Sequence, residues 1–136
     1  MTYLGFDFGL RRIGVATGQT LTGTASPQTP LHAHEGQPQW EQVAELIAQW
    51  QPEALVVGLP LNMDGTDNPI TQRARKFAKR LHGRFHLTCH LVDERLSTRE
   101  ARERTGLQGK SDVHAGLLDS AAACIILEQF LDSEAS

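Results

Sequence analysis

The sequence predicts an α/β fold in which a mixed β-sheet is covered by helices. Residues 3–17 contain two alternating apolar runs joined by a tight turn, which is typical of an antiparallel hairpin. Residues 54–57 form a wholly apolar run of the kind found in a strand that is covered on both faces. Helical apolar patterns separate and follow the later strands. The expected order of elements is therefore β-β-β-α-β-α-β-α-α.

The first half of the chain supplies most of the sheet. A third, weaker strand is predicted at residues 23–33, where Pro27 and Pro30 favour edge or irregular structure over part of its length. A helix follows from Trp40 to Trp50, since Trp40, Val43, Ala44, Ile47 and Ala48 recur on one helical face. The apolar strand at residues 54–57 comes next.

The second half is predicted to be mainly helical. A helix over residues 69–82 has Pro69 in its first turn and a buried stripe of Ala74, Phe77, Ala78 and Leu81. A strand is predicted at 85–92, and Ser97 with Glu100 forms a capping box for a further helix. Residues 108–113 are expected to be a mobile loop, followed by a helix from 114 or 115 to 131. We expect one domain over residues 1–131 and a disordered tail at 132–136.

Composition narrows the class of protein. The 136 residues carry a net charge of −3, which argues against a uniformly basic nucleic-acid-binding protein. No apolar run is long enough to span a membrane, and we expect no secretory signal. Cys89 and Cys124 lie in apolar runs; a disulfide is one alternative, and two reduced thiols in a cytoplasmic protein are favoured.

The charge is unevenly distributed along the chain. Residues 68–92 contain no Asp or Glu but six cations, which leaves −9 for the rest of the chain. These cations are Arg73, Arg75, Lys76, Lys79, Arg80 and Arg84. They could be a solvated helix face, but so long a stretch without acids favours contact with a phosphate backbone.

Three carboxylates are candidates for chemistry: Asp7, Glu94 and Asp119. Asp7 interrupts an apolar strand, Glu94 closely follows a strand, and Asp119 lies within an apolar helix. The alternatives are a surface carboxylate for Asp7, an ion pair with Arg95 or Arg99 for Glu94, and a structural salt bridge for Asp119. Converging carboxylates without His or Cys suit Mg²⁺ or Mn²⁺. Paired ions of this kind hydrolyse phosphodiesters, so the pattern predicts a metal-dependent nuclease.

The histidines offer a weaker signal. His86 and His90 are predicted to share a strand face, where solvated or edge histidines are favoured over metal ligands. His114 precedes the final helix near Asp119 and is a candidate substrate contact.

Four motifs in order resemble the YqgF family, a bacterial group described as Holliday-junction resolvases and pre-16S ribosomal RNA nucleases. They begin at Asp7 (DFG-x-x-RIGVA), Val57 (VGLPLNMDGT), Asp93 (DERLST) and Asp119 (DSAA). The resemblance spans residues 1 to about 131 and is specific because the motifs occur together.

The resemblance implies a ribonuclease H-like fold: a five-stranded mixed sheet, three antiparallel strands then two parallel ones, flanked by helices. It also implies a catalytic and metal-binding triad of Asp7, Glu94 and Asp119. In such sites, cations activate a water and stabilise the leaving 3′-oxygen, giving a 5′-phosphate and a 3′-hydroxyl. The residues then expected to contact substrate are Gly9, Arg12, Asn62, Arg73, Lys76, Arg80, Arg95, Lys110 and His114. Asp112 makes the segment 109–114 less basic than a substrate-binding loop is expected to be.

The first functional hypothesis is an endonuclease that processes the 5′ end of precursor 16S ribosomal RNA in the bacterial cytoplasm, in contact with ribosomal precursor particles. The alternative is a resolvase acting on four-way DNA junctions, and the third is a non-catalytic nucleic-acid-binding accessory protein. The intact carboxylate set counts against the third. Actin-like ATPases, which share the fold, need two such domains and are excluded by length. Both a monomer and a homodimer remain open.

Overall fold

The computed structural model describes residues 1–93 and 112–135, with the side chains of 112–119 and 135 outside that description. The described strands are β1 (Thr2–Asp7), β2 (Arg12–Gln19), β3 (Thr24–His34), β4 (Gln37–Pro38), β5 (Ala54–Leu59) and β6 (Cys89–Asp93). The described helices are α1 (Trp40–Trp50), α2 (Pro69–Phe85) and α3 (Asp112–Ala135).

The strands form one mixed sheet in the order β4-β3-β2-β1-β5-β6. Neighbours from β1 to β4 pair antiparallel, whereas β5 pairs parallel to both β1 and β6. The predicted arrangement of three antiparallel and two parallel strands is confirmed. The sheet gains a sixth member because Glu35 and Gly36, both with positive φ, turn the chain back so that β4 pairs with the end of β3.

The third strand agrees with its predicted span to within one residue, and both prolines lie within it. β3 is continuous from Thr24 to His34, and Pro27 lies opposite Ala16 of β2. Within the described residues, β4 pairs only with Ala33 and His34, so Pro27 and Pro30 lie on a stretch whose outer side carries no ladder. A proline is tolerated there because its missing N–H interrupts no hydrogen-bonded pair.

Side chains alternate along β1 and divide the core between two sheet faces. Leu4, Phe6 and Phe8 pack on the face covered by α1 and α2, in a core that includes Val43 and Phe77. The opposite face packs against α3 through a second cluster, whose members from the strands and helix include Ala16, Val56, Ala123 and Leu127. We call these the α2 face and the α3 face.

Close packing of α3 depends on Gly5. A Cβ atom built at Gly5 would lie 3.0 Å from the Leu127 Cβ and 3.4 Å from the Ala123 carbonyl oxygen. Any larger residue would push the helix away from β1 and open the second core. The glycine therefore fixes how deeply α3 sits on the sheet.

Several element boundaries differ from those predicted. α2 continues to Phe85 and ends at His86, whose backbone adopts the left-handed region, so β6 begins at Cys89 rather than 85. α3 begins at Asp112 and continues to Ala135, so residues 132–135 are helical rather than a disordered tail. Ser97 and Glu100 lie outside the described residues.

Two further predictions concern α1 and the cysteines. The bounds of α1 are confirmed, but Ala44 and Ala48 are exposed, while Leu46 and Trp50 pack against the core instead. Cys89 and Cys124 are not joined by a disulfide, as favoured from the sequence.

In the part of the chain that the structure describes, no helix is both long and apolar enough to cross a membrane.

Candidate active site at the carboxyl ends of the parallel strands

Asp7 is the last residue of β1 and lies half-buried on the α3 face of the sheet. Its face follows from alternation, since Phe6 and Phe8 lie on the α2 face. Its register partners are Gly14 on β2 and Gly58 on β5. Both neighbours lack side chains, so neither adjacent strand places a side chain beside the Asp7 carboxylate.

The same row of residues continues onto β6. Gly58 is in register with Val92, and Val92 packs against the α3-face core. With strands about 4.8 Å apart, Val92 lies roughly 10 Å from Asp7 across two strand spacings. Glu94 comes two residues after Val92 in the sequence, but it lies outside the described residues, as does Arg95.

Helix α3 runs across the α3 face toward this row. Phe130 contacts Tyr3 with ring centroids 5.5 Å apart, and Ala123 and Leu127 lie over Gly5. From Gly5 to Asp7 the strand advances about 6.7 Å, and four residues of helix advance about 6 Å. Position 119 is four residues before Ala123 on the same helix face, so the backbone brings it to the level of Asp7.

Ser120 holds the helix at that level. Its hydroxyl donates to the Gln28 carbonyl oxygen at 2.6 Å and accepts from the Val15 N–H at 3.4 Å. Val15 and Gln28 are register partners at the point where the β2–β3 register shifts. These two hydrogen bonds join α3 to β2 and β3 at Ser120, the residue next to position 119.

The fold thus brings Asp7 and the backbone of Asp119 to one sheet edge. Among the described residues, no three His, Cys, Asp or Glu side chains are arranged to hold a metal. Glu94 and the Asp119 side chain lie outside the description. The carboxylate oxygens of Asp7 fit a hard divalent cation in their chemistry.

Two predicted substrate residues belong to the turn that follows Asp7. A Cβ at Gly9 would collide with the Arg12 carbonyl oxygen, so this turn needs glycine at position 9 for structural reasons alone. Arg12 begins β2, is half-buried, and is in register with His32. Both residues lie at the same sheet edge as Asp7.

Asn62 is occupied in shaping the loop after β5. Its Nδ2 donates to Thr66 Oγ1 at 3.0 Å and to the Asp67 carbonyl at 3.3 Å. Its Oδ1 accepts from Asn68 Nδ2 at 3.0 Å. Asn68 in turn caps α2 by accepting from the Thr71 N–H. The network explains why the loop and the start of α2 form one unit.

The six cations of residues 68–92 have different environments. Arg75 makes a two-pronged ion pair with Asp67, and Arg84 lies 4.4 Å above the Trp40 ring. Arg73, Lys76 and Arg80 instead line a cavity of about 250 Å³. α2 packs on the α2 face, whereas Asp7 lies on the α3 face. These three cations therefore lie on the opposite side of the sheet from Asp7.

The pKa values of three ionisable groups are shifted by their surroundings. The hydrogen bonds from Arg75 lower the pKa of Asp67, and the same ion pair raises the pKa of Arg75. Burial raises the pKa of the Cys89 thiol to about 11, which disfavours its reactive thiolate.

The histidines do not form a pair. His86 ends α2, whereas His90 is in β6 with its ring 4.7 Å from that of Phe130. The expectation that they share a strand face was wrong, because α2 continues past residue 82. His114 lies in α3, and its side chain, like Lys110, lies outside the description.

Comparison with known proteins identifies the family of the chain. Residues 1–133 match the family model of RuvX, described as a Holliday junction resolvase. The chain belongs to the RuvX family. A RuvX-family relative from Pectobacterium carotovorum is 54% identical, covering 98% of this chain and 96% of its own length. Another from Alcanivorax borkumensis is 57% identical, covering 97% and 96%. Both carry the name "Putative pre-16S rRNA nuclease".

Solved structures show that the RuvX-family chain has a resolvase-like fold. Thermus thermophilus RuvC in complex with a Holliday junction aligns with a TM-score of 0.55 at 16% identity, over 100% of this chain and 96% of that chain. The Fowlpox virus resolvase in complex with Holliday junction DNA aligns with a TM-score of 0.59 at 11% identity, over the whole of both chains. The ribonuclease H-like fold expected from the sequence is confirmed.

Some residues important for the site were missed from sequence. Ser120 was noted only as part of a motif, although a hydroxyl in an apolar helix is a signal for a buried hydrogen bond. Gly14 and Gly58 gave no signal by themselves, because their importance depends on strand register.

Proposed function

We propose that this chain is a metal-dependent endonuclease that processes the 5′ end of precursor 16S ribosomal RNA in the bacterial cytoplasm. The observation that carries the proposal is the placement of Asp7 between Gly14 and Gly58, at the level that α3 reaches with position 119. The names of relatives at 54% and 57% identity over nearly the full chain favour this substrate.

In this proposal, Asp7, Glu94 and Asp119 hold Mg²⁺ or Mn²⁺. When bound, such ions polarise the scissile phosphate and lower the pKa of an attacking water. Asp7 supplies oxygen donors from the rigid end of β1, and Ser120 keeps α3 seated so that Asp119 stays beside it. Gly14 and Gly58 place no side chain beside Asp7.

We assign substrate contacts to Gly9, Arg12, Asn62, Arg95, Lys110 and His114. Arg12 follows the turn after Asp7 and is the cation of this set that the structure describes. We expect it to contact a phosphate beside the scissile one, while Asn62 shapes the loop that borders the path.

Resolution of four-way DNA junctions is the second candidate. The RuvX family description and the fold shared with RuvC favour it. A junction with two equivalent strands requires two active sites, so this activity predicts a homodimer, whereas trimming of one RNA strand needs only a monomer.

A side-by-side cleavage assay tests the proposal. Wild type and Asp7→Asn are incubated with a precursor 16S RNA fragment and with a four-way DNA junction, each with Mg²⁺, Mn²⁺ or chelator. We expect wild type to cleave the RNA only with metal, leaving 5′-phosphate ends, and the variant to be inactive. Preferential cleavage of the junction would favour the second candidate. Binding of either substrate without any cleavage would support an accessory protein and overturn the proposal.

A further inference from the structure

A cavity lies on the α2 face of the sheet, away from Asp7. It encloses about 250 Å³, and its lining includes Arg73, Lys76 and Arg80 of α2 together with the turn at Glu35 and Gly36. The rings of Phe8, Trp40 and Phe77 complete it. Three cations and one acid, Glu35, give the lining a net positive charge.

The three cations form one stripe of the helix. Positions 73, 76 and 80 follow i, i+3, i+7 spacing and so lie on a single face of α2. This stripe borders the buried positions Ala74 and Phe77, which fix the helix on the sheet. The cations therefore converge on the cavity because of how α2 is packed.

The cavity cations have few protein partners. Arg73 donates to the Glu35 carbonyl oxygen at 3.0 Å, which orients the guanidinium without neutralising it. The described residues provide no ion-pair partner for Lys76 or Arg80, in contrast to Arg75 and its partner Asp67. Cations that are oriented toward a common space and left unpaired suit an anionic ligand.

Base stacking is not favoured at this cavity. Phe77 stacks on Trp40 with ring centroids 5.9 Å apart, and Arg84 lies 4.4 Å over the Trp40 ring. Phe8 and Phe77 are only 6% and 3% exposed. Because these rings are occupied or buried, the recognisable ligand chemistry is a phosphate group rather than a base.

The cavity is linked to the end of β1. Phe8, which lines it, directly follows Asp7, and the two side chains lie on opposite faces of the sheet. The Gly36 N–H donates to the Leu10 carbonyl at 2.9 Å, which ties the cavity rim to the turn after Asp7. A nucleic-acid strand that passes around the end of β1 can reach both Asp7 and the cavity.

From these observations we infer that the α2-face cavity is a second phosphate subsite, which binds a backbone phosphodiester of the substrate strand away from the cleaved bond. The inference rests on the proposed function for the identity of the strand. It assigns Arg73, Lys76 and Arg80 to strand binding and gives them no contact with the reacting atoms.

Binding measured without metal tests this inference. Anisotropy of a labelled single-stranded RNA is measured from 50 to 300 mM salt in chelator, for wild type, Lys76→Gln, Arg80→Gln and Lys79→Gln. Lys79 is the matched control, because it is an exposed lysine of the same helix that does not line the cavity. If each lost contact releases one counterion fewer, the slope of log K against log salt falls by about 0.7 for Lys76→Gln and for Arg80→Gln. It should stay unchanged for Lys79→Gln. Equal slopes for Lys76→Gln and Lys79→Gln would overturn the subsite.

A neutral-linkage scan distinguishes a backbone phosphate from a free one. A single methylphosphonate is moved along the RNA, and wild type should lose affinity most at one or two positions. The Lys76→Gln/Arg80→Gln protein should be insensitive at those same positions. Sensitivity that is the same in both proteins would overturn the subsite. Displacement of the RNA by millimolar inorganic phosphate at constant ionic strength, with no position-specific loss, would indicate a free-phosphate site instead and also overturn it.

These measurements do not depend on cleavage. A protein that cleaves RNA but shows no cavity effect would refute the subsite and keep the proposed function. If the cavity variants lose RNA binding as expected but the protein does not cleave RNA, the subsite is kept and the proposed function is refuted.

Discussion

Ser120 and Gln28 are joined by a hydrogen bond of 2.6 Å, in which the buried Ser120 hydroxyl donates to the Gln28 carbonyl oxygen. The Ser120 hydroxyl oxygen also accepts from the Val15 N–H at 3.4 Å, so one side chain ties α3 to two neighbouring strands. Because Asp119 precedes Ser120, this contact fixes the backbone of position 119 relative to β2 and β3.

Ser120→Ala should therefore affect stability and metal binding together. Losing the hydroxyl leaves buried backbone groups without that partner, which costs about 1–3 kcal/mol in the free energy of unfolding. Urea unfolding measures this loss. We also expect a weaker rise in melting temperature on adding Mg²⁺, since Asp119 is less well positioned. Ser133→Ala, at an exposed position of the same helix, is the control and should match wild type. An unchanged Mg²⁺ response in Ser120→Ala would limit Ser120 to a structural role.

Asp7→Asn should abolish cleavage while leaving the fold intact. The amide keeps the size of the side chain but removes the charge that would anchor the cations. We expect a rate loss of at least about a hundredfold, measured under single-turnover conditions with saturating metal. Circular dichroism confirms folding. Activity within a few-fold of wild type would refute the metal-site assignment.

Asp119→Asn should raise the melting temperature of the metal-free protein and destroy activity. In the proposed site, the three carboxylates repel one another without cations, so removing one charge relieves the repulsion. Mg²⁺ should stabilise wild type, because a ligand that binds only the folded state shifts the equilibrium toward it. The variant should show a smaller effect.

Thermal scans in chelator and in Mg²⁺ separate this outcome from the alternative of a structural salt bridge. In that case Asn would lower the melting temperature and leave cleavage nearly unchanged.

Cys89 should react slowly with alkylating reagents. With a pKa of about 11, roughly a thousandth of the thiol is ionised at pH 8. Alkylation should be slower than that of free cysteine by on the order of a hundredfold, and it should accelerate about tenfold per pH unit up to about pH 10. Mass spectrometry of peptides after timed iodoacetamide exposure measures the rate, and the urea-unfolded chain is the control. Fast labelling of the folded protein at pH 8 would contradict the burial of this thiol.

The raised pKa of Cys89 also makes the free energy of unfolding depend on pH. The pKa of Cys89 in the folded state lies above its unfolded value near 8.5. The contribution of this thiol to the free energy of unfolding is therefore fully present below that value and is lost as the pH rises toward 11. Cys89→Ala should flatten this dependence in urea unfolding at pH 8 and pH 10.

Local pattern was sufficient for much of the fold. The α1 bounds and the buried stripe of α2 follow from apolar periodicity, which is a property of neighbouring residues. The arrangement of antiparallel and parallel strands was implied by the family resemblance instead. Boundaries failed where local signals were weak. α2 ran on through Phe85 because helical hydrogen bonds continue until a residue such as His86 adopts a left-handed backbone. β4 was missed because two residues are too few for a periodic signal.

The sequence by itself determined which residue types are available to the site: three carboxylates within four motifs, and a stretch of six cations without acids. Tertiary structure decided how they are grouped. Register placed Asp7 between two glycines, and packing of α3 on Gly5 brought position 119 to its level. Packing of α2 paired Arg75 with Asp67 and directed Arg73, Lys76 and Arg80 to the opposite face. Strand register and helix packing join residues far apart in the chain, and local periodicity carries no information about such contacts.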